Sequence, residues 1–321
     1  MKASPAPLRC ELVPLTQQQV SFRIDGREVT RWDFDQSASK PCFFPLNGPD
    51  SGESLTRMGH PGAPNHDHHR SVWFAHHKLL GIDFWGIGST TRIVQREWFV
   101  YEEGDAQARM AVLLDWLDGH DPQPLIEQEL IATLSPLDEG EYTLDLQSTF
   151  RPRASEIEFQ QTNFGFLAVR VARSISGHFG DGVITGASGE TGEANLFGKA
   201  NAWMDYSGPM RAQSPGDGTV TEGITYFDHP ANPAYPAKWH VREDGWMGAS
   251  ACRDAPLITT PDKPLRLRYL LHVHRGSVDP IRAGTLAHTW AAQPWLRVAK
   301  STRPHYQFEL QAMNDENAAA S

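Results

Sequence analysis

Short runs in which apolar and polar residues alternate dominate the chain. Leu8–Pro14, Val20–Ile24 and Glu28–Phe34 open it. Asp25-Gly26, between the second and third runs, suits a tight hairpin because both residues tolerate positive φ. The pattern resumes in Arg92–Tyr101, Arg109–Leu117, Leu125–Leu134, Tyr142–Arg151 and Ile157–Arg170, rich in β-branched and aromatic residues. Turns such as Asp118-Gly119 and Glu139-Gly140 separate them. Lys199–Tyr206, Thr219–Phe227, Trp246–Ala251, Leu265–Arg275 and His305–Gln311 continue it. A helical pattern appears at Asp279–Trp290, with Asp279 placed to cap, Pro280 at the first helical position, and Ala283, Leu286 and Trp290 on one face. Strands at this spacing predict an all-β protein, a large antiparallel β-sandwich with one short helix near 279–290. No repeat or low-complexity linker interrupts it. Residues 1–313 therefore read as a single domain and 314–321, small and polar, as a disordered tail.

Charge and composition narrow the function classes. The 321 residues hold 29 Lys+Arg against 39 Asp+Glu, a formal net charge of −10. A nucleic-acid partner would need a basic stripe, so none is expected. No run of apolar residues is long enough to span a membrane, so no membrane partner is expected either. Cys10, Cys42 and Cys252 are far apart and include no Cys-x-x-Cys, which argues against a disulfide framework and a cysteine zinc knuckle and suits a reducing, cytoplasmic setting. The first ten residues carry Lys2 and two prolines without an apolar segment, so no secretory signal is expected. Dinucleotide and P-loop fingerprints, Gly-x-Ser-x-Gly and His-Glu-x-x-His are missing, so neither a nucleotide cofactor nor serine hydrolysis is expected.

Histidine is where the sequence carries chemistry. His60, His66, His68, His69, His76 and His77 fall within a span of eighteen residues, out of 14 histidines in the chain. They follow or end a long loop, Gln36–Pro64, that contains Pro45-Leu-Asn-Gly-Pro49 and Pro61-Gly62; such a loop is uncommon unless it serves a purpose. If Asn65-His66-Asp67-His68-His69-Arg70 is extended, His66, His68 and Arg70 share one face, with Asp67 and His69 on the other. His66 and His68 would then suit a divalent metal such as zinc, manganese or calcium, or serve in acid–base chemistry. His69 and His76 are candidate proton carriers, Arg70 a candidate oxyanion binder, and Asp83 a partner to orient an imidazole. Trp73 and Trp85 offer flat faces for a sugar ring; packing in the core is the competing reading for both.

Three further groups could line a site. Trp203 and Asp205 lie downstream of Glu190 and Glu193 in the Gly-rich loop Gly186–Gly198. His229, Trp239, His240 and Arg242 belong to a proline-stiffened segment that also holds Asp244-Gly245. His272 and His274 share one strand face, which would join the first cluster if it looked into the same cleft.

At these residues the chain resembles the PmoA-like family of bacterial domains of unknown function. The matching stretches are Pro45-Leu-Asn-Gly-Pro49, His66-Asp-His-His-Arg70, Val72-Trp-Phe-Ala-His76, Gly81-Ile-Asp-Phe-Trp85, Trp203-Met-Asp-Tyr-Ser-Gly208 and Asp228-His-Pro-x-Asn-Pro233. They run in the family's order across most of Pro41–Gly245. Asn65, Asp67 and His77 depart from its usual pattern. The family label refers to a membrane-bound methane monooxygenase subunit, a function that the lack of an apolar span argues against. What the resemblance implies is a β-rich protein linked to sugar catabolism, comparable in fold to the galactose-mutarotase supersandwich.

The expected function is therefore a carbohydrate-active enzyme. It would be a lyase or hydrolase on a glycoside or oxidised glycoside, using the histidine cluster for acid–base chemistry, with or without a divalent metal. Its partner would be a small carbohydrate, and oligomer formation is left open. An aldose epimerase or mutarotase, with Glu190 or Glu193 as the second group, and a non-catalytic carbohydrate-binding protein are the alternatives.

Overall fold

Two antiparallel sheets of eight strands each carry the fold, as the alternating pattern predicts. The computed structural model describes residues 8–60, 63, 66–86, 90–214, 216 and 218–313. Sheet one runs in the order β1 (Cys10–Leu15), β2 (Gln19–Ile24), β3 (Arg27–Asp33), β4 (Cys42–Leu46), β5 (Val72–His76), β11 (Gly165–Arg170), β16 (Trp246–Ser250), β15 (Lys238–Arg242). Sheet two runs β12 (Val183–Gly186), β13 (Trp203–Arg211), β14 (Thr219–Asp228), β18 (Leu265–Arg275), β9 (Tyr142–Pro152), β8 (Ile126–Pro136), β7 (Ala108–Leu117), β6 (Arg92–Glu102). Two small ribbons add β10 (Ile157–Phe159) to β17 (Leu257–Thr259), and β19 (Leu296–Lys300) to β20 (Phe308–Ala312). Asp25 and Gly26 both take positive φ at the β2–β3 turn, as that sequence demands.

The core lies between the two large sheets. Phe74 of β5 meets Phe150 of β9 and Tyr269 of β18, at ring-centroid distances of 6.5 and 6.3 Å. Tyr226 of β14 packs edge-on to Trp239 of β15 at 4.7 Å and donates its hydroxyl to the Leu167 carbonyl. Strands buried on one face only would alternate strictly, yet β5, β11 and β16 are buried at every position. Sheet one is therefore covered on both faces at its β5–β11–β16 end, and the covered outer face is where the histidine cluster sits.

Helix α2 (Pro280–Ala291) confirms the predicted helix almost residue for residue. The Asp279 carboxylate accepts from the amides of Ile281 and Arg282, and Ala283 and Trp290 turn inward. A second, one-turn helix, α1 (Glu193–Leu196), lies in the Gly-rich loop that the sequence leaves irregular.

Several strand boundaries differ from the sequence expectation. The run Ile157–Arg170 divides because β10 pairs with β17 while β11 pairs with β5 and β16, so the two halves belong to different sheets. The long loop Gln36–Pro64 hides β4, whose Cys42, Phe43 and Leu46 are buried. The proline-stiffened segment ends in a strand, β15, rather than continuing as loop. Pro61-Gly62, Asn65 and the tail 314–321 lie outside the described residues.

Candidate functional site

Strand register builds a cavity on the face of sheet one turned away from sheet two. Arg170 stands opposite Trp246 in the β11–β16 pair, and Trp246 opposite Arg242 in the β16–β15 pair. Cross-strand partners point the same way, so Arg170, Trp246 and Arg242 form one row. The next row, Ala168, Gly248 and His240, continues into Trp73 of β5. Two of its members are small, which leaves room above the sheet. The intervening residues Val169, Met247 and Val241 point into the core.

Loops complete the walls. The described part of the His-rich run folds as a turn rather than a strand: the His66 amide donates to the Ala63 carbonyl and the His69 amide to the His66 carbonyl. This overturns the expected alternation. His66, His68 and His69 come to one side, with ring centroids 6.0 Å apart for His66 and His68, 5.2 Å for His66 and His69, and 4.4 Å for His68 and His69. Asp67 is exposed, and Arg70 leaves for the opposite side, among Lys40, Cys42 and Asp35. On the other wall, Leu80 and Gly81 at positive φ close a tight turn between Leu79 and Ile82. Asp83 Oδ1 then accepts the amides of Trp85 and Gly86 at 2.7 and 3.0 Å, and buried Lys40 donates to the Trp85 carbonyl.

The cavity so formed holds about 550 Å³, a size suited to a small-molecule ligand. His66, His68, His69, His77, Asp83, Trp85, Phe164, Arg170, His240, Arg242, Asp244 and Trp246 surround it. Trp246 touches His69 face to face at 5.1 Å, Trp85 at 5.2 Å and His240 at 5.9 Å.

Burial sets the charge states. It pushes the His69 imidazole down to about 2, helped by the charges of His68 and Arg170, and His240 down to about 4, helped by Arg242 and Arg253. His66 is shifted down for the same first reason, with His60 adding to it. His69 and His240 are therefore uncharged at neutral pH and offer hydrogen bonds rather than charge. Asp244 behaves oppositely. Burial raises its carboxyl, but Arg170 Nη1, 2.9 Å from Oδ1, and His60 Nε2, 3.3 Å from Oδ2, outweigh that and hold it below the usual range.

Of the residues singled out in the sequence, His66, His68, His69, Asp83, Trp85, His240 and Arg242 line this cavity. Trp73 lies beneath it, its ring 5.5 Å from His69 and only 1 % exposed, too deep to meet a sugar. Arg70 is not at the cavity, so its expected oxyanion role falls away. His76 is a core residue instead of a base. Its ring packs on Phe159 and Phe166, its Nδ1 accepts the Lys78 amide, and a Cβ on Gly165 would come within 2.5 Å of it. Asp83 orients the 85–86 backbone and faces His77 at 4.0 Å rather than holding His76.

The other groups serve the frame. Trp203 packs beneath α2 with Phe227 and Trp290. Asp205 is fully buried and bonded to His274 Nε2 at 2.7 Å and Thr225 Oγ1 at 2.9 Å. His229 lies between Trp290 and Trp295, and Trp239 is a core residue whose indole donates to the Asn201 carbonyl. His272 and His274 share a face, as expected, but it is the one covered by α2, where Glu141 joins His272 to Arg282. They do not join the first cluster. Glu193 reaches the rim through its pair with Arg242 and by accepting the Glu243 amide, and Glu190 is exposed.

Arg170, Asp244, Trp246 and Phe164 were missed as site residues. A charged residue closing the apolar run Gly165–Val169 was the signal for Arg170. For Asp244 and Trp246 it was their alternation with His240 and Arg242 across a Gly245 turn.

Among the described residues, no three or more of His, Cys, Asp and Glu are placed to hold one metal ion. No described helix is long and apolar enough to cross a membrane. The fold and site define an all-β sandwich with a histidine- and arginine-lined cavity on the outer face of one sheet. The chain belongs to the family of unknown function DUF6807, whose model matches residues 19–288. That match replaces the PmoA-like assignment expected from the motifs. No curated protein matches the chain.

Proposed function

We propose that this cavity is the active site of a carbohydrate-active enzyme, a lyase or hydrolase on a glycoside or oxidised glycoside. The observation that carries the reading is the meeting of uncharged His69 and the buried Arg170–Asp244 pair in one cavity walled by Trp85 and Trp246. Neutral imidazoles bond the hydroxyls of a sugar, and the buried indole of Trp246 behind His69 holds that imidazole in place. His69 is too weak a base to take a proton at neutral pH, so its role is to bond a substrate oxygen. Proton transfer falls to His66 and His68 near the rim. Arg170, rather than Arg70, stabilises negative charge on the substrate.

A zinc, manganese or calcium ion, where one binds, would take His66 and His68 as ligands in place of their proton-carrying role. A cytoplasmic setting suits the three cysteines, which are free and buried.

The test is incubation of the purified chain with a panel of glycosides, uronides and keto-glycosides, after chelation and after addition of each metal. New reducing ends report hydrolysis, and the ultraviolet absorbance of an unsaturated product reports elimination. Product from at least one substrate class supports the reading. Tight binding without product on any substrate points to the binding-protein alternative instead.

A further inference from the structure

The charges around Asp244 do not balance. Arg170 is fully buried and gives only Nη1 to the Asp244 carboxylate. Arg57, half-buried beside it, reaches the Asp244 backbone carbonyl at 2.9 Å and lies over the Phe179 ring, without touching the carboxylate. One carboxylate thus stands beside two guanidiniums and bonds only that of Arg170, while its other oxygen faces His60. Buried positive charge without a full complement of negative charge is costly and favours an anion from outside.

The geometry says which kind. Nε and Nη2 of Arg170 have no hydrogen-bond partner in the protein. Those two nitrogens form one straight edge of the guanidinium, the edge that meets a carboxylate with two parallel hydrogen bonds. Other buried donors and acceptors without partners surround the same cavity: His69 Nδ1, His240 Nδ1 and Trp246 Nε1. Buried polar atoms are rarely left so, and here they cluster where a hydroxylated ligand would satisfy them. Trp246 stands between Arg170 and Arg242 in one cross-strand row.

We infer that the ligand of this cavity is a sugar acid, its carboxylate read by the Nε–Nη2 edge of Arg170. The inference rests on the carbohydrate reading above and narrows it to the acidic members of that class. Arg242, paired to Glu193 at the rim, attracts the same charge from the mouth of the cavity.

Calorimetric titration of the full chain with matched pairs tests it: glucuronate against glucose, galacturonate against galactose, mannuronate against mannose, and the methyl glycosides of each. At least one acid is expected to bind roughly tenfold or more tightly than its neutral partner. Arg170→Lys, which keeps the charge but loses the flat edge, is expected to erase most of that preference. Arg242→Gln alters an exposed side chain at the rim, and is expected to reduce the preference in part. If neither variant changes the preference, the inference is overturned. Matched pairs that bind equally well overturn it too, while leaving the carbohydrate reading in place. Sugar phosphates that outbind every uronate overturn it in favour of a phosphate ligand. If no sugar in any pair binds, the carbohydrate reading falls with it.

Discussion

Arg170 and Asp244 come from strand β11 and the β15–β16 turn, and they meet at 2.9 Å with the guanidinium wholly buried and the carboxylate about one-third exposed. The pair ties the floor of the cavity to its rim. Removing the carboxylate leaves a buried cation facing Arg57. Asp244→Asn is therefore expected to lower unfolding free energy by roughly 3 kcal/mol, the low end for a broken buried pair because Asp244 keeps some contact with water. Urea denaturation checks this; a loss below about 1 kcal/mol would show the pair to be incidental.

His76 is expected to be dispensable for chemistry. It lies in the core against Phe159, Phe166 and Gly165, away from the cavity. His76→Leu keeps the volume and gives up one hydrogen bond from the Lys78 amide. Stability is expected to change by less than about 2 kcal/mol, with turnover unchanged once a substrate is in hand. A variant that folds as well as the parent but is inactive would return His76 to the site.

Lys40 gives the chain a distinctive alkaline signature. It donates to the Trp85 carbonyl from a position 1 % exposed, and burial, with Arg70 adding to it and Asp83 opposing, brings its ammonium down to about 7 from 10.5. Between those two values the unfolded chain holds a proton that the folded chain lacks, so folding gains as pH rises from 7 to 10.5. Below 7 the full penalty is felt. Lys40→Met is expected to remove that slope, so that the stability difference between variant and parent shrinks as pH rises. Parallel denaturation curves at pH 7 and pH 10 measure it, and a constant difference would contradict it.

Glu141 acts at the acid end. Burial raises its carboxyl, but hydrogen bonds from His272, Arg282 and the Arg275 amide outweigh that and hold it at about 2, against 4.5 in the unfolded chain. The depressed value means that its stabilisation is complete above 4.5 and is lost as pH falls toward 2. The gap corresponds to about 3 kcal/mol. Glu141→Gln is expected to reduce stability at pH 7 by that order and to flatten the decline between pH 4.5 and 2. Since Arg282 belongs to α2, loosening of that helix in hydrogen exchange is the accompanying sign.

The fold was readable because period-two patterning and turn chemistry are local. The Asp25-Gly26 turn, the strands of sheet two other than its edge strand β12, and the Asp279-capped helix all follow from neighbours in sequence. The site was readable only in part because it depends on register between distant strands. Histidine density marked the right loop, but His69 reaches Trp246 only because the run turns instead of extending. Trp73 and His76 have the same residue types as true cavity residues and differ only in which face the strand gives them. Arg170 looks like the end of an apolar strand until β16 and β15 place Trp246 and Arg242 beside it.

Catalysis in this cavity depends on the division of labour among its imidazoles. The decisive measurement is kcat beside Kd, for the parent chain and for His66→Gln/His68→Gln, on the same sugar. Loss of the proton carriers is predicted to lower kcat by about 100-fold or more while Kd stays within roughly threefold. An unchanged kcat in the double variant would show that His66 and His68 carry no proton.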